Sequence, residues 1–320
     1  MADDSVDPHL IEQIKKLQEK YAVMGQDLSS YLEGLLYSDY LTYWDYIHLD
    51  TLLSLQTPET HFPDEKVFIM YHQITELYFR LILWEVEQIA FKVNLDAKFF
   101  SARLDRIIRY FKHLTDSFDI MVEGLDKEQF LKFRMALLPS SGFQSAQYRL
   151  IEICSTDMIN LVAEGERKSL AQETDIKLLL EKVYWRFGAS ELASGKKTLT
   201  LQQFEAKYME TFYETGTLYQ DRNLRKLFMT RFANAPEADT IVQQLRTYDM
   251  LANVHWRLAH LKSAGKHLSK DPSEIKATGG TNWQKYLPPR FQRIMFFPEL
   301  WSEQEKSEWG KAAVLNAVGF

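Results

Sequence analysis

Along most of this chain apolar residues return every three or four positions, and no run alternates as a strand would. Asp7-Pro8 predicts a helix start, with Asp as N-cap and Pro at the first helical position. Leu10, Ile14, Leu17 and Tyr21 then form one stripe, and a second short helix follows from Asp27. Pro63 opens a long helix to about Leu95, with a predicted stripe of Phe68, Tyr71, Ile74, Tyr78, Leu81 and Trp84. The next helix carries Phe100, Leu104, Ile107, Phe111, Leu114, Phe118 and Met121. Asp126 with Gln129, and Ser141 with Gln144, have capping-box spacing. Between these pairs a short helix ends at Leu138-Pro139, and after them a long helix runs from about Phe143 to Val162. Residues 165–200 are more polar and read as a variable insertion. Helical pattern resumes from about Leu201, and again from Pro236 to about Leu268, before a loop from Ser269 to Trp283. With no internal repeat or low-complexity tract, the expectation is all-α: one helical-bundle domain over 1–320, with the helices of 1–40 contributing to oligomer contacts.

Composition narrows the function. A net charge of -6 argues against nucleic acid or an anionic membrane as partner of the whole chain. The single Cys154 can make neither an internal disulfide nor a zinc ribbon, and in an apolar run it reads as core. The start, Met1 to Pro8, is acidic and lacks a secretory pattern, and no run approaches a membrane span, so the cytoplasm is expected. Aromatics are plentiful, with 20 Phe, 16 Tyr and 7 Trp, enough to wall a flat apolar pocket or simply to fill a bulky core.

Several chemistries lack their residues. Gly188 and Gly195 are too far apart for a phosphate loop, and neither GxGxxG nor GxSxG occurs. A helical di-metal site needs paired Glu-x-x-His motifs, and the nearest approach is one Asp45-Tyr46-Ile47-His48. His255 and His260 are separated by about 140° around a helix, and His260 and His267 by about 10 Å along it, so neither pair shares a metal. What remains are pairs four apart on helices: Phe68 with His72, Phe130 with Arg134, and Trp256 with His260. Each sets an aromatic ring beside a polar head. Arg134 is suited to a carboxylate, His72 to a hydrogen bond or proton, and His260 to a haem iron. Taken singly, each reads sooner as a structural histidine or a snorkelling arginine than as a site residue.

Read together and in order, these pieces resemble the tryptophan 2,3-dioxygenase family. The resemblance rests on Tyr43-Trp44-Asp45-Tyr46-Ile47-His48-Leu49-Asp50 with Leu52-Leu53-Ser54-Leu55-Gln56, and on Asp64-Glu65, Phe68-Ile69, His72-Gln73 and Glu76-Leu77. It continues in Phe133-Arg134, Pro139 to Ser145, Gln147-Tyr148-Arg149, Trp256-Arg257 with His260, and Thr278-Gly279-Gly280 with Tyr286-Leu287. It implies an all-helical haem enzyme, a homotetramer, that opens the indole pyrrole ring of L-tryptophan with O2 to give N-formylkynurenine, the first step of kynurenine-route catabolism. Carried over by position, His260 is the proximal ligand of a non-covalent haem b, ferrous when active, and Ser141 lies near that haem. His72 is the distal histidine that accepts from the indole N–H. Phe68 and Phe130 pack on the ring, Arg134 holds the carboxylate, and Thr278 helps hold the amino-acid end. Tyr43, Tyr46 and Ile47 match residues that reach into a neighbouring subunit's pocket. The chain departs from the family in its last loop, where Ala277-Thr278-Gly279-Gly280-Thr281-Asn282-Trp283 replaces Gly-Thr-Gly-Gly-Ser-Ser-Gly, and in a short insertion at Lys270-Asp271-Pro272-Ser273.

Two other readings stay open at this point. One is haem monooxygenation or peroxide-driven oxidation of a substituted indole or aromatic amino acid on the same fold. The other is a haem-free helical binding protein with an aromatic pocket.

Overall fold

The computed structural model describes residues 6–38, 42–134, 144–189, 197–268 and 292–311. The regular structure is helical as expected; among the described residues there is no strand, and an isolated antiparallel bridge joins Val162 and Val183. The chain divides into two compact units, residues 1–57 and 58–320.

The first unit holds α1 (Pro8–Val23), α2 (Leu28–Leu36), α3 (Tyr43–Tyr46) and α4 (Leu49–Leu53). Asp7 accepts the His9 N–H and Asp27 those of Ser29 and Ser30, so both sequence-predicted starts carry real caps. The α1 stripe is shallow: none of its residues is buried, and its end is held by Tyr21 against Tyr31, ring centroids 4.8 Å apart.

The second unit is built on α5 (Pro63–Phe91), with α6 (Ala97–Ser117) and α9 (Ala146–Ser155) packed along it. Short α7 (Asp119–Val122) and α8 (Lys127–Arg134) lie between α6 and α9 in the chain. α10 (Ile176–Glu181), α11 (Tyr184–Gly188), α12 (Leu199–Tyr219), α13 (Leu224–Leu227), α14 (Ala238–Met250), α15 (Trp256–Leu268) and α16 (Glu303–Ser307) follow. α12 packs on α9 and α14 on α6. The stripe read on α6 is buried in full, from Phe100 to Phe118 and on to Met121. Each large side chain taken out of water there contributes about 1.5–3 kcal/mol before entropy is counted.

Three expectations are corrected. On α5 the core face is Tyr71, Thr75, Phe79, Ile82, Val86 and Ile89, whereas Ile74, Leu81 and Trp84 of the predicted stripe are exposed. The helix is apolar on two faces, so periodicity alone cannot choose between them. It also ends at Phe91, not Leu95. The helix expected from Phe143 to Val162 is α9 followed by a separate 3-10 turn, Met158–Leu161. The break comes where Thr156 turns extended and donates its hydroxyl to the Phe296 carbonyl, while Asp157 pairs with Arg225. The third expected helix, Pro236 to Leu268, is interrupted by a π turn, Leu251–His255, between α14 and α15. The 165–200 segment places Ile176, Leu179, Leu180, Val183, Tyr184, Trp185 and Ala189 in the main core. The end of the short helix at Leu138-Pro139 and the loop from Ser269 to Trp283 lie outside the described residues.

Candidate functional site

The three four-apart pairs converge in the second unit. On α5, the Phe68 and His72 rings stack with centroids 4.1 Å apart. His72 Nδ1 lies 2.7 Å from the Phe68 carbonyl. A carbonyl only accepts, so Nδ1 carries the proton and Nε2 keeps its lone pair free. Burial lowers the His72 pKa, outweighing the Phe68 bond and the Glu76 charge, so the ring is neutral near neutrality.

α8 supplies the second wall. Phe130 sits 6.1 Å from Phe68, and both rest on fully buried Phe133, at 5.5 and 5.6 Å. A reciprocal clamp fixes α8 on the start of α5. The Asp126 N–H donates to the Asp64 carboxylate at 2.7 Å, and the Asp64 N–H donates to Gln129 Oε1 at 3.3 Å. Asp126 in turn caps Gln129, the pair whose spacing stood out in the sequence. One turn beyond Phe130 is Arg134, half-buried; no carboxylate pairs with it among the described residues, and burial alone depresses its pKa. A partly desolvated guanidinium without a counterion is an anion site waiting for its anion.

α15 supplies the third wall. His260 Nδ1 faces the Trp256 carbonyl at 3.2 Å, so again Nε2 is left free. Its ring lies between Phe118, 4.5 Å away, and Trp256, 4.6 Å away. Burial pulls its pKa down to about 4, opposed by the Trp256 bond and helped by the proximity of His72, should that ring take up a proton, and of the Arg257 charge. The two histidines are therefore close enough to sense each other. Tyr71 joins them: its ring meets His72 edge-on at 6.0 Å and Phe118 edge-on at 5.7 Å. His72 keeps contact with solvent and His260 is half-buried, although both pKa values are depressed by surrounding protein. Such side chains line an opening rather than sit in close-packed core.

The direction of α15 is set from behind. The π turn carries one residue more than an α turn, a device found often at functional positions. Its loosened Ala252 carbonyl accepts the Tyr148 hydroxyl at 2.9 Å. Buried Asp249 accepts from the backbone of Phe296 and Phe297, from the Trp301 indole N–H and from Asn253. Burial nonetheless pushes its pKa up to about 6. On α15 itself, Arg257 donates to Glu152 at 3.2 Å and to the Tyr184 hydroxyl at 2.6 Å, and Arg149 pairs with the same Glu152 at 3.0 Å. Sequence reasoning named Arg149 and Arg257 only as motif members and missed Glu152, Tyr184 and Asp249. Their partners are far away along the chain, and periodicity carries no sign of them.

Of the other sequence-predicted residues, Ser141 and Thr278 lie outside the described residues. Tyr43 and Tyr46 stand exposed on α3 of the first unit, with Ile47 half-buried at its C-terminal end. A separate cavity of about 270 Å³ is lined by Asn160, Glu164, Arg167, Arg293, Lys306 and others, none from the walls just described. Its charges are already engaged: Arg293 with Glu164, Lys306 with Glu303, and Arg167 with three carbonyls.

Comparison with known proteins meets this geometry from the other side. The family model of tryptophan 2,3-dioxygenase matches residues 33–182, which include α5, α8 and α9. A tryptophan 2,3-dioxygenase of a Ruegeria species is 28% identical over 286 residues, spanning 83% of this chain and 92% of that one. One from Herpetosiphon aurantiacus is 28% identical over 271 residues, spanning 83% of this chain and 98% of its own. A shorter stretch of 124 residues, 35% of this chain and 30% of the other, is 41% identical to the enzyme of Sorangium cellulosum. Matches of that length take in the aromatic walls and the histidine helix alike, and they make the chain similar to tryptophan 2,3-dioxygenases over most of its length.

Proposed function

We propose that this chain opens the pyrrole ring of L-tryptophan with O2, giving N-formylkynurenine, at a non-covalent haem b held by His260. The observation that carries the reading is the placement of three groups. His260 on α15, its Nδ1 engaged by the Trp256 carbonyl, lies near a neutral His72, and Arg134, which has no ion-pair partner among the described residues, borders the same aromatic wall.

The donor set fits haem. Among the described residues no three His, Cys, Asp or Glu side chains gather round a metal position. A metal that brings its own four equatorial nitrogens needs only one protein ligand, and a neutral imidazole with Nδ1 hydrogen-bonded to a carbonyl is suited to that task. Phe118, Trp256 and Tyr71 offer the apolar surround. When bound, ferrous haem supplies the oxygen activation, which no side chain of the chain can do.

The chain's own residues orient the substrate. Phe68 and Phe130 hold the indole by stacking, which fixes its plane. The indole N–H donates to His72 Nε2, which locks the ring's rotation in that plane. Because His72 is neutral and its Nδ1 proton is committed to Phe68, it accepts without taking up a proton. Arg134 takes the carboxylate in a bidentate grip, worth about 2–3 kcal/mol at a half-desolvated position. Thr278 would hold the amino-acid end and Ser141 would lie beside the haem. Tyr43, Tyr46 and Ile47 would complete the pocket of a neighbouring copy, which requires a homo-oligomer, in this family a tetramer. The cytoplasm is the compartment that suits such an enzyme.

The test is the haem-loaded, reduced chain given L-tryptophan and air, followed by the near-ultraviolet absorbance of N-formylkynurenine and by the Soret band. His260→Ala is expected to lose the band and the product. Arg134→Ala is expected to keep the band and raise KM roughly 30- to 150-fold, the equivalent of that grip. A Soret band without product from tryptophan would refute the substrate, and a colourless protein would refute the haem site.

A further inference from the structure

The cluster behind α15 is uneven in charge. Arg149, Glu152 and Arg257 are 5%, 1% and 6% exposed. Glu152 takes Arg257 at 3.2 Å and Arg149 at 3.0 Å, so two guanidiniums share one carboxylate. The Tyr184 hydroxyl that joins them is neutral, since burial raises its pKa. The next carboxylate, Asp249, is held off by an amide: Asn253 accepts from Arg257 at 3.2 Å and donates to Asp249 at 2.8 Å. The next cation, Arg167, is near enough to feel Arg257, with Glu164 set against it. Guanidiniums stay charged at any working pH, so the contact cluster carries one positive charge in excess. Burying ions costs stability that apolar side chains of like volume would not, so packing alone does not account for it.

Arg257 connects that excess to the site. It precedes His260 by less than one turn of α15. Of the cluster's charges, that of Arg257 is the one that bears on His260. The carbonyl that engages His260 Nδ1 also belongs to the peptide bond between Trp256 and Arg257, so the partners that pin Arg257 hold that peptide too. We propose that Arg257 sets the reduction potential of the iron at His260, its buried and uncompensated charge favouring the ferrous form. The inference rests on the haem reading above. Gaining one electron removes one positive charge from the iron centre, so a fixed cation nearby stabilises the reduced side, and most where protein rather than water lies between. The proposed reaction gives this a use. Tryptophan and O2 combine with both oxygen atoms kept in the product, so turnover neither consumes nor supplies an electron. Iron that slips to ferric is not returned by turnover, and a charge that favours ferrous lengthens its working life.

The experiment is an anaerobic potentiometric titration of the haem-loaded full chain with dithionite and mediator dyes, read from the Soret band. It is run cold, with folding checked by circular dichroism, and well above the Asp249 pKa of about 6 so that this carboxylate stays charged. Arg257→Met is expected to shift the ferric-to-ferrous ratio at a given potential about tenfold toward ferric, which is about 59 mV downward for one electron. Arg257→Lys keeps the charge and loses the planar fork, and is expected to stay within about threefold of wild type. Glu152→Gln removes the negative charge and is expected to shift the ratio about threefold toward ferrous. Opposite signs are what a field gives; looser packing would move all three variants the same way. Should Arg257→Met lose its Soret band, the upward shift of Glu152→Gln and the constancy of Arg257→Lys decide. Shifts of one sign in Arg257→Met and Glu152→Gln, a lysine variant that follows the methionine one, or no shift at all would overturn the role of Arg257 and leave the haem site standing. A wild type with no Soret band would overturn the haem reading itself, and this inference with it.

Discussion

Glu152→Gln perturbs the buried charge cluster behind α15. Glu152 is 1% exposed and takes ionic hydrogen bonds from Arg149 and Arg257 and a neutral one from the Tyr184 hydroxyl at 2.6 Å. Both arginines are themselves buried. The amide keeps the shape but removes the charge and turns one acceptor into a donor aimed at a guanidinium. Among the described residues the two buried cations then touch no anion, and Arg257 still reaches Asp249 through Asn253. Breaking a buried pair in this way costs about 3–5 kcal/mol, because the stranded charge remains desolvated. In a chain of this size that lowers the melting temperature on the order of 10 °C. The assay is urea and thermal unfolding of the haem-loaded chain, with the Soret band as a local probe, since Arg257 is one turn before His260. Pairing the change with Arg149→Met removes one stranded cation and is expected to recover about half of the loss. A loss below about 1 kcal/mol, or a double variant no more stable than the single, would refute the reasoning.

Asp64→Ala removes the acceptor of the Asp126 N–H and loosens α8 from α5. KM for tryptophan is expected to rise about fivefold, the equivalent of about 1 kcal/mol, with kcat less affected and with faster hydrogen exchange over residues 126–130. Asp64→Asn, which still accepts, is expected to restore most of both; unchanged exchange in the alanine variant would count against the clamp. Hydrogen bonds from Arg246 and from the Ser302 backbone and hydroxyl hold the Glu305 pKa down at about 2. A depressed carboxylate stabilises the fold above its unfolded value of about 4.5 and loses that contribution as pH falls toward about 2. The fluorescence of Trp301, which lies 4.1 Å from the Arg246 guanidinium, is expected to change through that window and to be flat there in Glu305→Gln.

The contrast between α5 and α6 shows what the sequence could reveal. On α6, charged Arg103, Arg106 and Lys112 interrupt the apolar residues so cleanly that one face can be core, and every residue of the predicted stripe is buried. On α5 both faces are apolar, and the stripe read from periodicity mixed core Tyr71 with exposed Ile74, Leu81 and Trp84. The site shows the same division. Phe68 with His72, Phe130 with Arg134, and Trp256 with His260 were legible because four residues make one helical turn. Tyr71 and Phe118, which bring the histidines together, were visible only as apolar positions, since a contact between helices leaves no mark in the spacing within either. The π turn left none at all: a hydrogen bond reaching five residues back demands no particular side chain.

That turn has a further consequence. In a helix, angular position is a matter of counting, about 100° for each residue. The extra residue at Leu251–His255 therefore aims everything after it, and Trp256, Arg257 and His260 take their bearings from its length rather than its composition. Most replacements within Leu251–His255 alter packing and leave the aim alone. Removing a single residue would swing the imidazole about a quarter-turn away from Phe118 while keeping every atom of the imidazole itself. The histidine's place in the site is thus written as a number of residues, and insertion or deletion is the kind of change it tolerates least.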